Sequence, residues 1–148
     1  MGTGTKTQRG KKGGVLTGKK KAILAARCLD AKKAADIIVL EVNAITSIAD
    51  YFVIATADSR PQIKTCADYI DEKLSAKRVH PHHLEGMTNL EWVLMDYGDV
   101  IVHIFDKEAR LYYGLERLWG DAPKVAYKVK RKAPATQVRS RDTGGRPA

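Results

Sequence analysis

A tight turn between two apolar runs is the feature of this sequence that most constrains its fold. The runs are residues 92–96 (WVLMD) and 99–105 (DVIVHIF), and only Tyr97 and Gly98 separate them. Two β-branched and aromatic runs joined by a two-residue connection that contains glycine are typical of a β-hairpin. Because hairpin strands are antiparallel, the chain must build a sheet with at least one antiparallel pair.

The segments before the hairpin predict two helices and two strands. Residues 22–33 are rich in good helix formers, whereas residues 37–42 (IIVLEV) and 51–57 (YFVIATA) have the nearly continuous apolar pattern of buried strands. Ser59, with Pro61 and Gln62 after it, matches a helix start. The helix that follows carries an apolar stripe formed by Ile63, Cys66, Ala67, Ile70 and Leu74.

A last helix is expected after the hairpin, because Asp106 is a suitable N-cap and leucines follow at helical spacing, at positions 111, 115 and 118. The resulting order is α-β-β-α-β-β-α. This order predicts a compact single α/β domain around a mixed sheet, since the hairpin strands are antiparallel.

Net charge divides the chain into three parts. The whole chain carries +9, yet residues 22–123 hold 11 basic and 16 acidic side chains. The excess of positive charge lies at the ends, with seven basic side chains and no acid in residues 1–21, and eight with one acid in residues 124–148. We therefore expect a domain over residues 22–123 between flexible basic tails at 1–21 and 124–148, and we expect a polyanion to meet the tails first.

Several classes of protein do not fit this composition. No run approaches the roughly 20 apolar residues of a membrane helix, and the first residues lack the apolar stretch of a secretory signal. The two cysteines, Cys28 and Cys66, cannot form a disulfide scaffold. The sequence therefore predicts a cytoplasmic protein with no membrane segment, in which Cys66 is a core residue.

Two groups of side chains raise alternatives that involve a metal. Three histidines, at positions 80, 82 and 83, lie near Glu85 in a loop and suggest a zinc site. However, the side chains of neighbouring residues in an extended loop point in different directions and do not converge on one ion. Asp96 and Asp99 flank the turn and raise magnesium-dependent nucleotidyl transfer, but no phosphate-binding loop precedes them. No nucleophile motif is present either. We therefore expect no catalytic residue, no metal and no cofactor.

Alternation along the hairpin predicts a binding surface. Trp92, Leu94 and Asp96 share one face of the first strand, and on the second strand Ile101, His103 and Phe105 alternate with Val100, Val102 and Ile104. If helices cover only one face of the sheet, the aromatic and aliphatic groups of the other face form a patch for a protein partner. The alternative is a core filled from both faces.

Five segments of the chain closely resemble the Iojap-like ribosomal silencing factor (RsfS) family. They are residues 36–42, 47–56, 85–86, 92–105 and 115–122. The resemblance implies a nucleotidyltransferase-like fold without the catalytic motifs and a non-catalytic regulator of translation. Members bind ribosomal protein fourteen of the large ribosomal subunit and prevent the small subunit from joining, notably when nutrients are short.

The resemblance also implies a partner-binding surface, while alternatives remain. The residues carried over from the family, with His103 as an extension, are Trp92, Leu94, Asp96, Tyr97, Asp99, Val100 and His103. We expect the tails to contact ribosomal RNA. A homodimer through the same sheet face, an RNA-binding protein that acts through its basic tails, and a metal-dependent nucleotidyltransferase remain alternatives.

Overall fold

The structure, a computed structural model, describes residues 16–128. Its elements in chain order are α1 (Gly18–Ala31), β1 (Ala35–Glu41), β2 (Tyr51–Thr56), α2 (Arg60–Ser75), β3 (His83–Glu85), β4 (Trp92–Asp96), β5 (Val100–Phe105), α3 (Lys107–Tyr113) and α4 (Leu115–Trp119). No helix in this described part is long and apolar enough to cross a bilayer.

The five strands form one mixed sheet in the order β1-β2-β5-β4-β3. β2 and β5 are parallel, and the other neighbours are antiparallel. The predicted mixed sheet and the β4–β5 hairpin are therefore confirmed. β3 was not predicted, because its three residues lie in the histidine-containing segment that the sequence assigns to a loop.

The two long helices pack against one face of the sheet and close it. Their apolar stripes meet Val93, Met95, Val102 and Ile104 in one buried cluster. Cys66 is fully buried in it, as predicted. Ser59 caps α2 as expected, since its Oγ accepts a hydrogen bond from Gln62 N at 3.2 Å and the Gln62 side chain accepts one from Asp58 N.

A second, smaller core lies on the other face of the sheet. Leu40, Phe52, Ile54 and Phe105 are buried there beneath α3 and α4, which contribute Ala109, Leu115 and Trp119. Both faces of the sheet therefore carry core residues. Trp92 and Leu94 are only half-buried at the border of this second core, so the face remains partly accessible at the β4 side.

The last helix is divided in two, contrary to the prediction. Gly114 adopts a left-handed conformation (φ +57°) that ends α3, and α4 starts immediately after it. Because the helical spacing is interrupted, the three leucines do not form a core stripe: Leu111 and Leu118 are 73% and 71% exposed, and only Leu115 contacts the core.

The described fold extends beyond the predicted domain range of residues 22–123 at both ends. Thr17 Oγ1 accepts a hydrogen bond from Lys20 N, which starts α1 one turn before residue 22, and Leu16 packs against the core. At the other end, Glu41 N donates to Pro123 O and Val125 N to Val39 O, both at 2.8 Å. Residues 18–21 and 124–128 therefore belong to the folded domain. The rest of both predicted tails lies outside the described residues.

Candidate protein-binding surface

Four of the predicted site residues, Trp92, Leu94, Asp96 and His103, lie on the sheet face that α3 and α4 leave partly open. Leu94 lies directly opposite His103 across the hairpin, and Trp92 lies opposite Phe105. Side chains of directly opposite residues stand on the same face of an antiparallel pair. Asp96 is placed on this face too, opposite Ile101, at the end of β4.

Trp92 is held by a hydrogen bond and by ring contacts. Its indole nitrogen donates to Nδ1 of His103 over 3.1 Å, and its ring lies 4.5 Å from that of Tyr113 and 5.1 Å from that of Phe105, centroid to centroid. These contacts fix the orientation of a large aromatic side chain that is still half-exposed. Such a pre-oriented aromatic group loses little conformational entropy when a partner covers it.

His103 is neutral at the centre of this surface. Burial lowers its pKa to about 4, since removal from water disfavours the charged ring. Because Nδ1 accepts from Trp92, the proton of the neutral ring is on Nε2, which is buried and has no hydrogen-bond partner within residues 16–128. His103 therefore supports Trp92 from below and is not itself an exposed contact.

Two tyrosines that the sequence reasoning missed extend the surface. The Tyr113 ring packs against Trp92 at a tilt of 46°, and Tyr112 packs edge-on against Tyr113 with the ring centroids 5.0 Å apart. Tyr113 is 48% exposed and Tyr112 is 81% exposed. In the sequence, the only indication of this role is that two tyrosines follow Leu111. The prediction of one unbroken helix through residue 118 did not place them on this face. We call Trp92, Leu94, Asp96, Tyr112 and Tyr113 the Trp92 surface.

Carboxylates surround the Trp92 surface. Asp96 Oδ1 accepts from the backbone N–H of Gly98 at 2.8 Å, which holds this carboxylate at the end of β4. Glu85 pairs with Leu94 across β3 and β4 and is exposed. Glu91 precedes Trp92 and is exposed as well, 3.9 Å from Arg60 in a weak surface ion pair. This rim favours a partner with basic side chains.

Tyr97 and Val100, which the family resemblance implies for the binding surface, do not lie on this face of the sheet. The hairpin turns at Gly98 and Asp99, not at Tyr97 and Gly98, because Tyr97 N donates to Val100 O and Gly98 takes the positive φ of +89°. Both residues therefore continue the alternation toward the helix-covered face, where they are 3% and 1% exposed. Burial also raises the pKa of Tyr97.

Asp99 lies at the turn and contacts α1 instead of the Trp92 surface. Its carboxylate accepts a hydrogen bond from Lys21 Nζ at 2.9 Å in a half-buried ion pair. Its backbone carbonyl accepts from the N–H groups of Asp50 and Tyr51. Asp99 therefore fastens the first turn of α1 and the start of β2 to the hairpin.

The groups that raised metal or catalytic alternatives do not converge in the described part of the chain. Within residues 16–128, no three side chains among His, Cys, Asp and Glu are placed to hold a metal ion. His80 Nδ1 lies 3.2 Å from Ser75 Oγ, whereas the ring of His82 is next to Gly98. The absence of a metal, a cofactor and a catalytic residue stays a prediction.

The fold and this surface define a class: a small α/β domain with one sheet face closed by two helices and an aromatic, acid-rimmed surface on the other. The family model of the ribosomal silencing factor during starvation, RsfS, matches residues 16–146. The chain belongs to this family.

Relatives in bacteria and plants agree with this assignment. The chain is 42% identical to the ribosomal silencing factor RsfS of Bacillus subtilis over 100 residues, which cover 68% of this chain and 85% of that relative. It is 35% identical to the chloroplastic protein Iojap of Zea mays over 107 residues, 70% of this chain and 45% of that relative.

Two crystal structures share the fold. A protein from Chromobacterium violaceum superposes with a TM-score of 0.69 at 36% identity and covers 78% of this chain and 95% of its own. A protein from Bacillus halodurans gives a TM-score of 0.62 at 36% identity over 70% of this chain and 93% of its own. The identity above one third shows that the likeness extends beyond the fold to the sequence.

Proposed function

We propose that this chain binds ribosomal protein fourteen of the large ribosomal subunit through the Trp92 surface and sterically blocks association with the small subunit. It would thereby repress translation, notably under nutrient limitation, in the cytoplasm and without a cofactor. The observation that supports this proposal is the half-exposed indole of Trp92, held by His103 and Tyr113 on the sheet face opposite α1 and α2.

Trp92 is the anchor in this proposal. Tryptophan and tyrosine in desolvated contacts dominate interface energies, and Trp92 is surrounded by apolar and aromatic groups that exclude water when covered. Asp96, Glu85 and Glu91 would meet basic groups of the ribosomal protein and set its orientation and its rate of association. Tyr113 replaces Tyr97 as the second aromatic contact, since Tyr97 is buried on the other face.

The block itself requires only mutual exclusion. A domain of this length has a radius of gyration of about 13 Å, so its bulk exceeds the gap of a close intersubunit contact. Binding and subunit joining then compete. At a free concentration of 100 times its Kd, the factor favours the separated subunit by about 2.7 kcal/mol.

The decisive experiment is sedimentation of separated ribosomal subunits with the protein and with its Trp92→Ala variant. We expect the protein to keep subunits apart, and Trp92→Ala to weaken binding to the ribosomal protein by at least about 2 kcal/mol, on the order of 30-fold. Tyr69→Ala, an aromatic truncation on α2, is the matched control and should bind normally. Unchanged binding by a folded Trp92→Ala variant would contradict the choice of surface.

The same preparations test the alternatives. Nucleotide turnover in the presence of magnesium would indicate a nucleotidyltransferase. Competition by isolated ribosomal RNA, together with normal binding by Trp92→Ala, would indicate an RNA-binding protein that acts through its tails. A homodimer through the Trp92 surface would compete with the ribosomal protein, and light scattering with and without that partner distinguishes the two.

A further inference from the structure

The outer side of α1 carries positive charges that are not paired within residues 16–128. Lys19, Lys20 and Arg27 are exposed, and none forms an ion pair with another described residue. Lys20 and Arg27 are seven residues apart, so they lie on the same stripe of the helix, about 10 Å from each other along its axis. Asp30 is the single acid of α1.

The C-terminal segment brings further charge to this helix. Arg27 Nε donates to the backbone oxygen of Tyr127 at 2.7 Å, and Val125 and Tyr127 pack against the cluster beneath α1. Lys128 is exposed at the end of this segment. Residues 125–128 therefore pass beside Arg27, where Lys128 adds to the positive charge.

The residues that precede α1 and follow Lys128 are strongly basic as well. Residues 1–15 contain four basic side chains and no acid, and residues 129–148 contain six basic side chains and one acid. One of these parts begins at the first turn of α1, and the other begins beside Arg27. Two basic portions of the chain thus start from one face of the domain.

We propose that the outer face of α1, together with Lys128, is a second binding surface, which takes the phosphate backbone of RNA. It lies across the sheet from the Trp92 surface, because α1 packs on the closed face. Both surfaces can therefore be occupied together. This inference goes beyond the proposed function and does not depend on which protein covers Trp92.

The chemistry of this face favours RNA over an anionic membrane. Helices that bind at a membrane surface insert large apolar side chains among the lipids. The large apolar side chains that are exposed in the described domain lie in the β1–β2 loop, β3, α3 and α4, and none lies on α1. A phosphate backbone needs only fixed cations, since their contacts release counterions.

The test measures binding of the full-length protein to a short labelled RNA duplex by fluorescence anisotropy over a range of salt. Lys20→Gln/Arg27→Gln should weaken binding at least about 10-fold near 0.1 M salt and reduce the slope of log Kd against log salt by about 1.8, that is, by two phosphate contacts. Lys20→Arg/Arg27→Lys keeps both charges and should bind like the parent protein.

Three controls make the outcome decisive. Lys107→Gln/Arg117→Gln removes the same charge from α3 and α4, and Trp92→Ala removes the anchor of the other surface; both should bind RNA within about twofold of the parent protein. Vesicles that contain phosphatidylserine should bind all variants equally. The proposal would be overturned if both charge-removal variants lost the same RNA affinity, or if Lys20→Gln/Arg27→Gln bound RNA like the parent protein. It would also be overturned if this variant lost affinity for the vesicles but not for RNA. If the parent protein binds RNA as expected but does not keep the ribosomal subunits apart, the result counts against the proposed function alone.

Discussion

Trp92 and His103 depend on each other at the scale of single residues. The indole N–H needs Nδ1 of His103 as acceptor, and the ring stays neutral because burial lowers its pKa from 6.5 to about 4. Protonation of Nδ1 would place two donors against each other. The geometry of the proposed anchor is therefore coupled to the protonation state of a buried residue, which has a consequence for stability.

We predict that acid destabilises the fold through His103. The unfolded chain binds a proton near pH 6.5, whereas the folded chain does so only near pH 4. The contribution of His103 to the free energy of unfolding is therefore complete above pH 6.5 and decreases as the pH falls from 6.5 to about 4. The total decrease is about 3 kcal/mol, and this group causes no further change below pH 4. Urea unfolding across this pH range measures the change.

His103→Asn is the matched variant for this prediction, since its amide oxygen can take the position of Nδ1 and accept from Trp92 but does not titrate. Its stability should change less between neutral and acid pH than that of the parent protein. If the two proteins show the same dependence on pH, His103 is not the group responsible.

The two cysteines should be unreactive in the folded protein. Burial is the main cause that raises the pKa of both the Cys28 and the Cys66 thiols to about 11. At pH 8 the thiolate fraction is then about one thousandth, and the sulfur atoms are also shielded from reagents. We expect alkylation by iodoacetamide to be slow in buffer and fast in urea. Rapid labelling of the native protein would contradict the burial.

At the scale of elements, the hairpin shows what sequence reasoning can and cannot predict. The two strands and their alternation were readable from the apolar pattern, and Trp92, Leu94 and Asp96 share a face as expected. The pattern did not distinguish a turn at Tyr97-Gly98 from one at Gly98-Asp99. Alternation along the strands places Tyr97 with Val93 and Met95, and Val100 with Val102 and Ile104, wherever the turn falls. These two residues were expected on the surface because of the family resemblance and not because of the pattern.

α3 and α4 show a related limit. Leucines at helical spacing predict an apolar stripe, but that spacing holds only along an unbroken helix. Gly114 can end a helix through its left-handed conformation, and composition alone does not reveal whether it does so. The break leaves Tyr112 and Tyr113 beside Trp92, so the part of the surface that depends on tertiary packing was not predictable.

Gly86, which lies just after β3, is the position where an added methyl group should destabilise the domain most. It has a φ of +91°, and a Cβ there would clash with the backbone oxygen of Trp92, which cannot move away without shifting the chain. Gly86→Ala should therefore destabilise the domain by at least about 2 kcal/mol, measured by urea unfolding. Gly18→Ala is the comparison, because Gly18 is helical and its nearest neighbour is the movable Asp99 carboxylate. A smaller loss for Gly86→Ala than for Gly18→Ala would contradict this reasoning.

At the scale of the whole molecule, negative and positive charges lie on opposite sides of the sheet, and the exposed Trp92 surface lies on the negative side. The open face carries Trp92 with carboxylates around it, and the closed face carries the exposed cations of α1, which form no ion pair within residues 16–128. Such a distribution suits a domain that lies between a basic protein and a nucleic acid, as at a ribosomal surface. The overall charge of +9 alone would have suggested only the second partner.

The boundaries of the domain give the last prediction. Residues 22–123, the range expected from composition, omit the Thr17 cap, the Lys21–Asp99 ion pair and the segment that packs Val125 and Tyr127 against the core. Loss of a cap costs about 1 kcal/mol, and each partly buried apolar side chain returned to water costs about 1 kcal/mol. A protein of residues 22–123 should thus be several kcal/mol less stable than one of residues 16–128.

Thermal unfolding of the two truncated proteins and of the full chain tests this prediction. The protein of residues 16–128 contains every described contact of both cores, so its Tm should lie within a few degrees of that of the full chain. Equal Tm values for residues 22–123 and 16–128 would show that the terminal contacts add nothing. A large loss already in residues 16–128 would show instead that residues outside this range contribute to the stability of the fold.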